Sequence, residues 1–122
     1  MRILKFRAFD RERQKMRYDV TGFEHGVANE MNIIFCDGDP FYLADTPVMQ
    51  FIGLVDANKS QIYEGDLVEH PSFPTSEIVF SRGQFIAIYD RGSGDEWECD
   101  FWREASKCKV IGNIYENADL LD

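Results

Sequence analysis

Apolar residues in this chain alternate with polar ones in short runs, and no 10–15-residue apolar stripe at helical spacing separates those runs. That pattern most constrains the fold. Side chains of a strand point alternately to its two faces, so a period of two marks half-buried strands. Without crossover helices, parallel pairing is disfavoured and antiparallel hairpins remain.

Leu4, Phe6 and Ala8 alternate with Lys5 and Arg7, which predicts a half-buried strand with the first three on its apolar face. After the polar connector Asp10–Lys15, the residues Met16, Tyr18 and Val20 resume the alternation, and the pair reads as a hairpin. Residues 21–30, with Gly22 and Gly26, read as loop. Ile33–Cys36 is a short apolar run ended by the turn chemistry of Asp37-Gly38-Asp39-Pro40. Phe41–Leu43 leads through Pro47 to Val48–Val55, a clear strand, and Asp56–Lys59 turns the chain into Gln61–Tyr63.

Leu67–His70 ends at Pro71, and a loop containing Pro74 follows. Ile78–Phe80 and Phe85–Tyr89 form a hairpin about Ser81–Gln84, and Arg91–Asp95 is a flexible loop. Trp97, Cys99 and Phe101 alternate with Glu96, Glu98 and Asp100 in a strand with one apolar and one acidic face. Lys109–Tyr115 is the last strand, and Asn117 is placed to cap one helical turn, Ala118–Leu121. Turn signals about every 8–12 residues point to a barrel or sandwich. The expected fold is therefore all-β and mainly antiparallel, a small barrel or sandwich of short strands with one short C-terminal helical turn. Its 122 residues fit one domain, 1–122, with an N-terminal hairpin subdomain over 1–45 packed on a barrel over 46–122.

Composition narrows the function classes. No apolar run reaches about 18 residues, and charges interrupt the N-terminus, so neither a membrane span nor a secretory leader is expected. Three cysteines (Cys36, Cys99, Cys108) without a C-x-x-C fit reduced thiols in a cytoplasm. The net charge of −9 is uneven: residues 1–18 carry seven Lys or Arg against Asp10 and Glu12, whereas residues 19–122 hold six against twenty Asp or Glu. So acidic a body repels phosphate backbones, and nucleic acid is a disfavoured partner.

Candidate sites were each weighed against a plain structural role. Cys36, Cys99 or Cys108 with His25 or His70 would be needed for a nucleophile pair or a zinc site, but no spacing supports either. Asp37-Gly38-Asp39 superficially resembles a calcium loop, yet Val48 stands where such a loop ends in Glu. No catalytic, metal or cofactor residue is therefore expected. Asp95, Glu96, Glu98 and Asp100 make an acidic strip, most simply a solvated strand face. Trp102 beside it is the aromatic that alternation leaves for exposure, while Trp97 and Phe101 are expected to be buried. This strip with Trp102 is the candidate partner-binding surface.

Three blocks together carry a family resemblance: Phe6-Arg7-Ala8-Phe9-Asp10 with Lys15-Met16, Met49–Asp56 (including Gly53) through Ile62–Val68, and Val110–Asn117 with Leu120-Leu121. In that order they resemble the YopX family, small proteins of bacteriophages, prophages and their bacterial hosts. The resemblance implies a predominantly β, barrel-containing fold, a mobile-element origin and a cytoplasmic setting, and supplies no catalytic residues. Within the blocks Gly65 allows a tight bend, Asp66 an Asx turn, Gly112 close backbone approach or a bulge, and Asn113 satisfaction of edge backbone groups. The Glu64-Gly65-Asp66 pattern is similar to one that opens strands in SH3-like barrels, an analogy of fold alone. The turn after Asp56 departs from the family's Asp-x-Asn-Gly-Lys, because Asn58 is followed by Lys59; either Lys59 is left-handed or the turn type differs.

The function expected from all this is a non-catalytic accessory factor that contacts a protein partner through its acidic, aromatic-bearing surface. The alternative is a nucleic-acid-binding barrel using the basic arm 2–17. Uncovered strand edges leave self-association open.

Overall fold

The computed structural model describes residues 3–24, 33–42, 45–89, 97–100 (backbone) and 103–121. The protein is all-β with antiparallel pairing and a curled, half-barrel sheet, and its helix is confined to short 3-10 turns. The chain divides into two compact units, Ile3–Gln50 and the part from Phe51 on.

In the first unit β1 (Phe6–Asp10) pairs with β2 (Lys15–Arg17) on one side and with the start of β6 (Val48–Val55) on the other. The expected 4–20 hairpin is present, with two differences. First, β1 is buried on both faces: Arg7 is 2% exposed, beside Ala8 and Phe9, whereas Leu4 precedes the strand and is exposed. Neighbouring strands close only the edges of β1, so the burial of Arg7 comes from packing over its face, where its guanidinium lies 5.9 Å from the Tyr18 ring centroid. Second, the alternation through Met16, Tyr18 and Val20 is not one strand. The Arg17 guanidinium donates to both Asp19 carboxylate oxygens at 2.9 and 2.6 Å and to the Cys36 carbonyl at 3.3 Å, where β2 ends.

The chain then enters β3 (Val20–Glu24), so Thr21–Glu24 is strand where loop was expected. Gly22, which reads as a loop signal, instead marks a register shift in the pairing of β3 with β4 (Ile33–Cys36). Between β4 and β5 (Asp39–Tyr42), Asp37 and Gly38 have φ of 48° and 88°, the two left-handed positions of a type I′ hairpin turn. Ala8, Ile34 and Cys36 form the core, with Val20, Phe41 and Val48 against it.

In the second unit the end of β6 pairs with β7 (Gln61–Tyr63). A five-stranded sheet runs in the order β11 (Trp97–Asp100), β10 (Gln84–Tyr89), β9 (Phe73–Ser81), β8 (Asp66–His70), β12 (Lys109–Asn113). β9 starts at Phe73, so Pro74 lies in a strand and not in the expected loop. Proline is tolerated there because β10 pairs only with Glu77–Ser81, and the ladder to β8 shifts register between Val68 and His70. The core is Ile62, Val68, Ile78, Ala87, Ala105 and Cys108, each at most 3% exposed.

The turn after β6 is decided by Lys59, whose φ of 67° is left-handed. The Lys59 N–H donates to the Asp56 carbonyl at 3.0 Å, closing a turn about Ala57 and Asn58, and Lys59 itself takes the left-handed position at its end, at a cost of about 1 kcal/mol where glycine costs nothing.

Candidate functional site

The motif residues of the three blocks build turns. Gly65 has φ 87° in the β7–β8 turn; its N–H donates to the Ile78 carbonyl at 2.7 Å, and its own carbonyl accepts from Ile114 N–H at 3.0 Å. Asp66, 2% exposed, accepts from Tyr63 N–H at 2.8 Å, a bond that reaches back across the bend. Gly53 has φ 92° within the β6–β7 register shift.

The Asn113 Oδ1 accepts from the N–H groups of Tyr115 and Glu116 at 3.0 and 2.9 Å, which ends β12 two residues before Tyr115, the expected end. Asn117 does not cap the 3-10 turn Ala118–Leu121 as expected; its Oδ1 reaches back to Asn113 N–H at 3.2 Å. That approach needs glycine at 112, since a Cβ there would lie 2.5 Å from Asn117 Oδ1. The bulge expected at Gly112 is also present, between Val110 and Gly112.

Asp56, which sequence reasoning treated as one turn residue among several, is the hub of this region. Its Oδ1 accepts from Asn58 and Ser60 N–H at 2.8 and 2.9 Å, and its Oδ2 from Val110 N–H on β12 at 2.9 Å. Burial pushes its carboxyl up, but the three backbone donors outweigh this and hold it below the ordinary range.

Of the candidate surface, Glu98 and Asp100 lie on β11, the edge strand of the five-stranded sheet, opposite Ile88 and Ile86 of β10. Asp95, Glu96, Trp102 and Phe101 lie outside the described residues, as do His25 and the side chains of Trp97 and Cys99.

The cysteine–histidine pairings are not assembled among the described residues. Cys36 and Cys108 are fully buried and form no disulfide; burial raises the Cys36 thiol. His70 instead meets Glu104, 34 positions away, with Nε2 2.8 Å from the carboxylate, while its Nδ1 accepts from Ser72 N–H at 2.9 Å. Nε2 therefore carries the proton that goes to Glu104, and the hydrogen bond from His70 holds the Glu104 carboxyl below its ordinary value. The ring stacks on Phe73 at 4.0 Å, and the pair walls a cleft of about 370 Å³ that Lys107 and Lys109 also line. No spacing signal in the sequence links positions 70 and 104. Among the described residues no group of three His, Cys, Asp or Glu is placed to hold a metal ion. Asp39 of the superficial calcium loop sits 3.8 Å from Arg17.

No helix among the described residues is long and apolar enough to cross a membrane. A crystal structure of protein EF1440 from Enterococcus faecalis is similar over 100% of both chains, with a TM-score of 0.62 and 25% identity. The protein yopX from Bacillus subtilis is similar over 97% of this chain and 98% of its own, with a TM-score of 0.60 and 20% identity, a likeness of fold. A comparison with curated proteins returned no match. The family model described as YopX protein matches residues 5–122, and the chain belongs to the YopX family.

Proposed function

We propose that this YopX-family protein is a non-catalytic accessory factor, of bacteriophage or prophage type, that binds a protein partner in a bacterial cytoplasm through an acidic surface. The observation that carries this reading is the edge position of β11: Glu98 and Asp100 stand on the last strand of the five-stranded sheet, within the acidic run 95–100. Residues 19–122 carry twenty acidic side chains against six basic ones, so the surface favours a basic partner and steers it in a salt-dependent encounter. Among the described residues, His70 is bonded at both ring nitrogens and Cys36 and Cys108 are buried, which supports a non-catalytic reading.

The basic arm 2–17 supports the nucleic-acid alternative less well, because Arg7 is buried and Arg17 is clamped by Asp19. The test is affinity capture from bacterial lysate with the whole chain, eluted by a salt gradient, beside a Glu98→Gln/Asp100→Asn variant. A protein eluted by moderate salt and lost with the variant supports the reading. Nucleic acid in the eluate, or capture indifferent to the variant, refutes it.

A further inference from the structure

The sheet β3–β4–β5 has apolar residues on both faces. Ile34 and Cys36 of β4 face the core of the first unit and are fully buried. Their neighbours Ile33 and Phe35 must point to the opposite face, where cross-strand pairing sets Tyr42 beside Ile33 and Pro40 beside Phe35. An antiparallel sheet with one face on a core ordinarily shows polar residues on the other. Here Ile33 and Phe35 are only half-buried, Pro40 is exposed and Tyr42 is 52% exposed. Ile33, Pro40, Phe41 and Tyr42 also line a cleft of about 200 Å³, large enough for one aliphatic or aromatic side chain.

Charge decides what would cover this face. No Lys or Arg occurs between Arg17 and Lys59, while seven Asp or Glu do. Glu24, opposite Ile33 and so on the same face, and Asp37, in the β4–β5 turn, are exposed at the rim, whereas Asp39, opposite Cys36, lies on the core side, 3.8 Å from Arg17. A second copy of the chain would bring the same acidic rim against itself, since a two-fold contact pairs a patch with its own likeness. Strand addition along the open edge of β5 is also disfavoured, because Pro40 has no N–H to give.

We infer that the outer face of β3–β4–β5 is a second docking surface, distinct from the acidic strip, for a protein segment that presents an aliphatic side chain between basic residues. The aliphatic side chain enters the cleft at Tyr42, and the flanking Lys or Arg meet Asp37 and Glu24.

The experiment uses the whole chain and three fluorescein-labelled nonapeptides, alternating Leu/Lys, Leu/Glu and Ser/Lys, read by fluorescence anisotropy. The Leu/Lys peptide is expected to bind about tenfold or more tightly than either of the others, since one buried apolar anchor contributes on that scale. Tyr42→Ser, at an exposed position, should abolish about tenfold of that affinity with the circular dichroism unchanged, and Glu24→Gln should flatten its salt dependence. Equal binding of Ser/Lys, or indifference to both Tyr42→Ser and a second exposed variant, Pro40→Ser, overturns the inference. So does a dimer in light scattering that Tyr42→Ser dissociates. If Glu98→Gln/Asp100→Asn removes peptide binding and Tyr42→Ser does not, the strip is the site and this face is not.

Discussion

The two units bury their apolar surface to different degrees. The second has a core of six residues that are almost or wholly buried, closed over by a carboxylate, Asp56, that bonds three backbone N–H groups from two parts of the chain. The first clusters Ala8, Ile34 and Cys36, buries Phe9, Met16 and Met49 as well, and leaves Tyr18, Phe23 and Tyr42 about half exposed. Its comparable carboxylate, Asp10, bonds Glu12 and Arg13 N–H within its own turn only. Asp56 therefore ties two distant parts of the second unit through backbone donors, whereas in the first the distant tie is the Arg17 guanidinium on the Cys36 carbonyl and more aromatic surface stays exposed.

The contrast is sharpest at the two carboxylates. Asp56→Ala should cost about 3 kcal/mol, because it leaves three backbone donors without their charged acceptor, and Asp10→Ala about 1 kcal/mol. Urea unfolding followed by tryptophan fluorescence would measure both, Trp97 and Trp102 lying in the second unit's sequence. Equal costs would break the comparison.

Acid tests the same hub by a different route. The Asp56 carboxyl is depressed in the folded protein, so its contribution is complete above the ordinary carboxylate value, about 4. It is lost as pH falls through the lower folded value. Stability should therefore drop more steeply below about pH 4 in the native protein than in Asp56→Asn. Parallel acid limbs would show that the three backbone bonds carry no electrostatic weight.

A smaller effect is expected at Gly112→Ala, about 1–2 kcal/mol, because Asn117 must withdraw from Asn113 N–H to admit the methyl group. In Gly112→Ala/Asn117→Ala the second change should add less than it does alone, the mark of a shared contact. Smallest are two of the left-handed turn residues, one taken from each unit: Lys59 at φ 67° and Gln14 at φ 55°. Lys59→Gly should stabilise by about 1 kcal/mol. Gln14→Gly should gain less, because it forfeits the bond from Gln14 Nε2 to the Arg11 carbonyl. A loss at Lys59→Gly would mean its side chain contributes more than the strain it brings.

What was legible in the sequence was local. The short apolar runs Val48–Val55 and Phe85–Tyr89, and the Gly-containing pairs at 37–38 and 82–83, place strands and hairpins correctly, because strand propensity and the cost of positive φ act within a few residues. The same rules misread Gly22 and Pro74, which break a strand in isolation but are accommodated by a bulge and by a one-sided ladder. Arg7 was misread because burial of the second face of β1 depends on what packs over the sheet, Tyr18 among it, and not on the alternation within the strand. The acidic strip was legible as composition, whereas its place on an edge strand follows only from the order of the five-stranded sheet.

Sequence alone determined the all-β class, the turn positions, the acidic balance and the family blocks, since each is written in neighbouring residues. The tertiary structure alone decided that Asp56 meets Val110, that His70 meets Glu104 across 34 positions, and that β4 carries apolar side chains on a face that remains open. Those pairings depend on which strands lie side by side, and strand order is set by the summed burial of distant segments and not by any one of them.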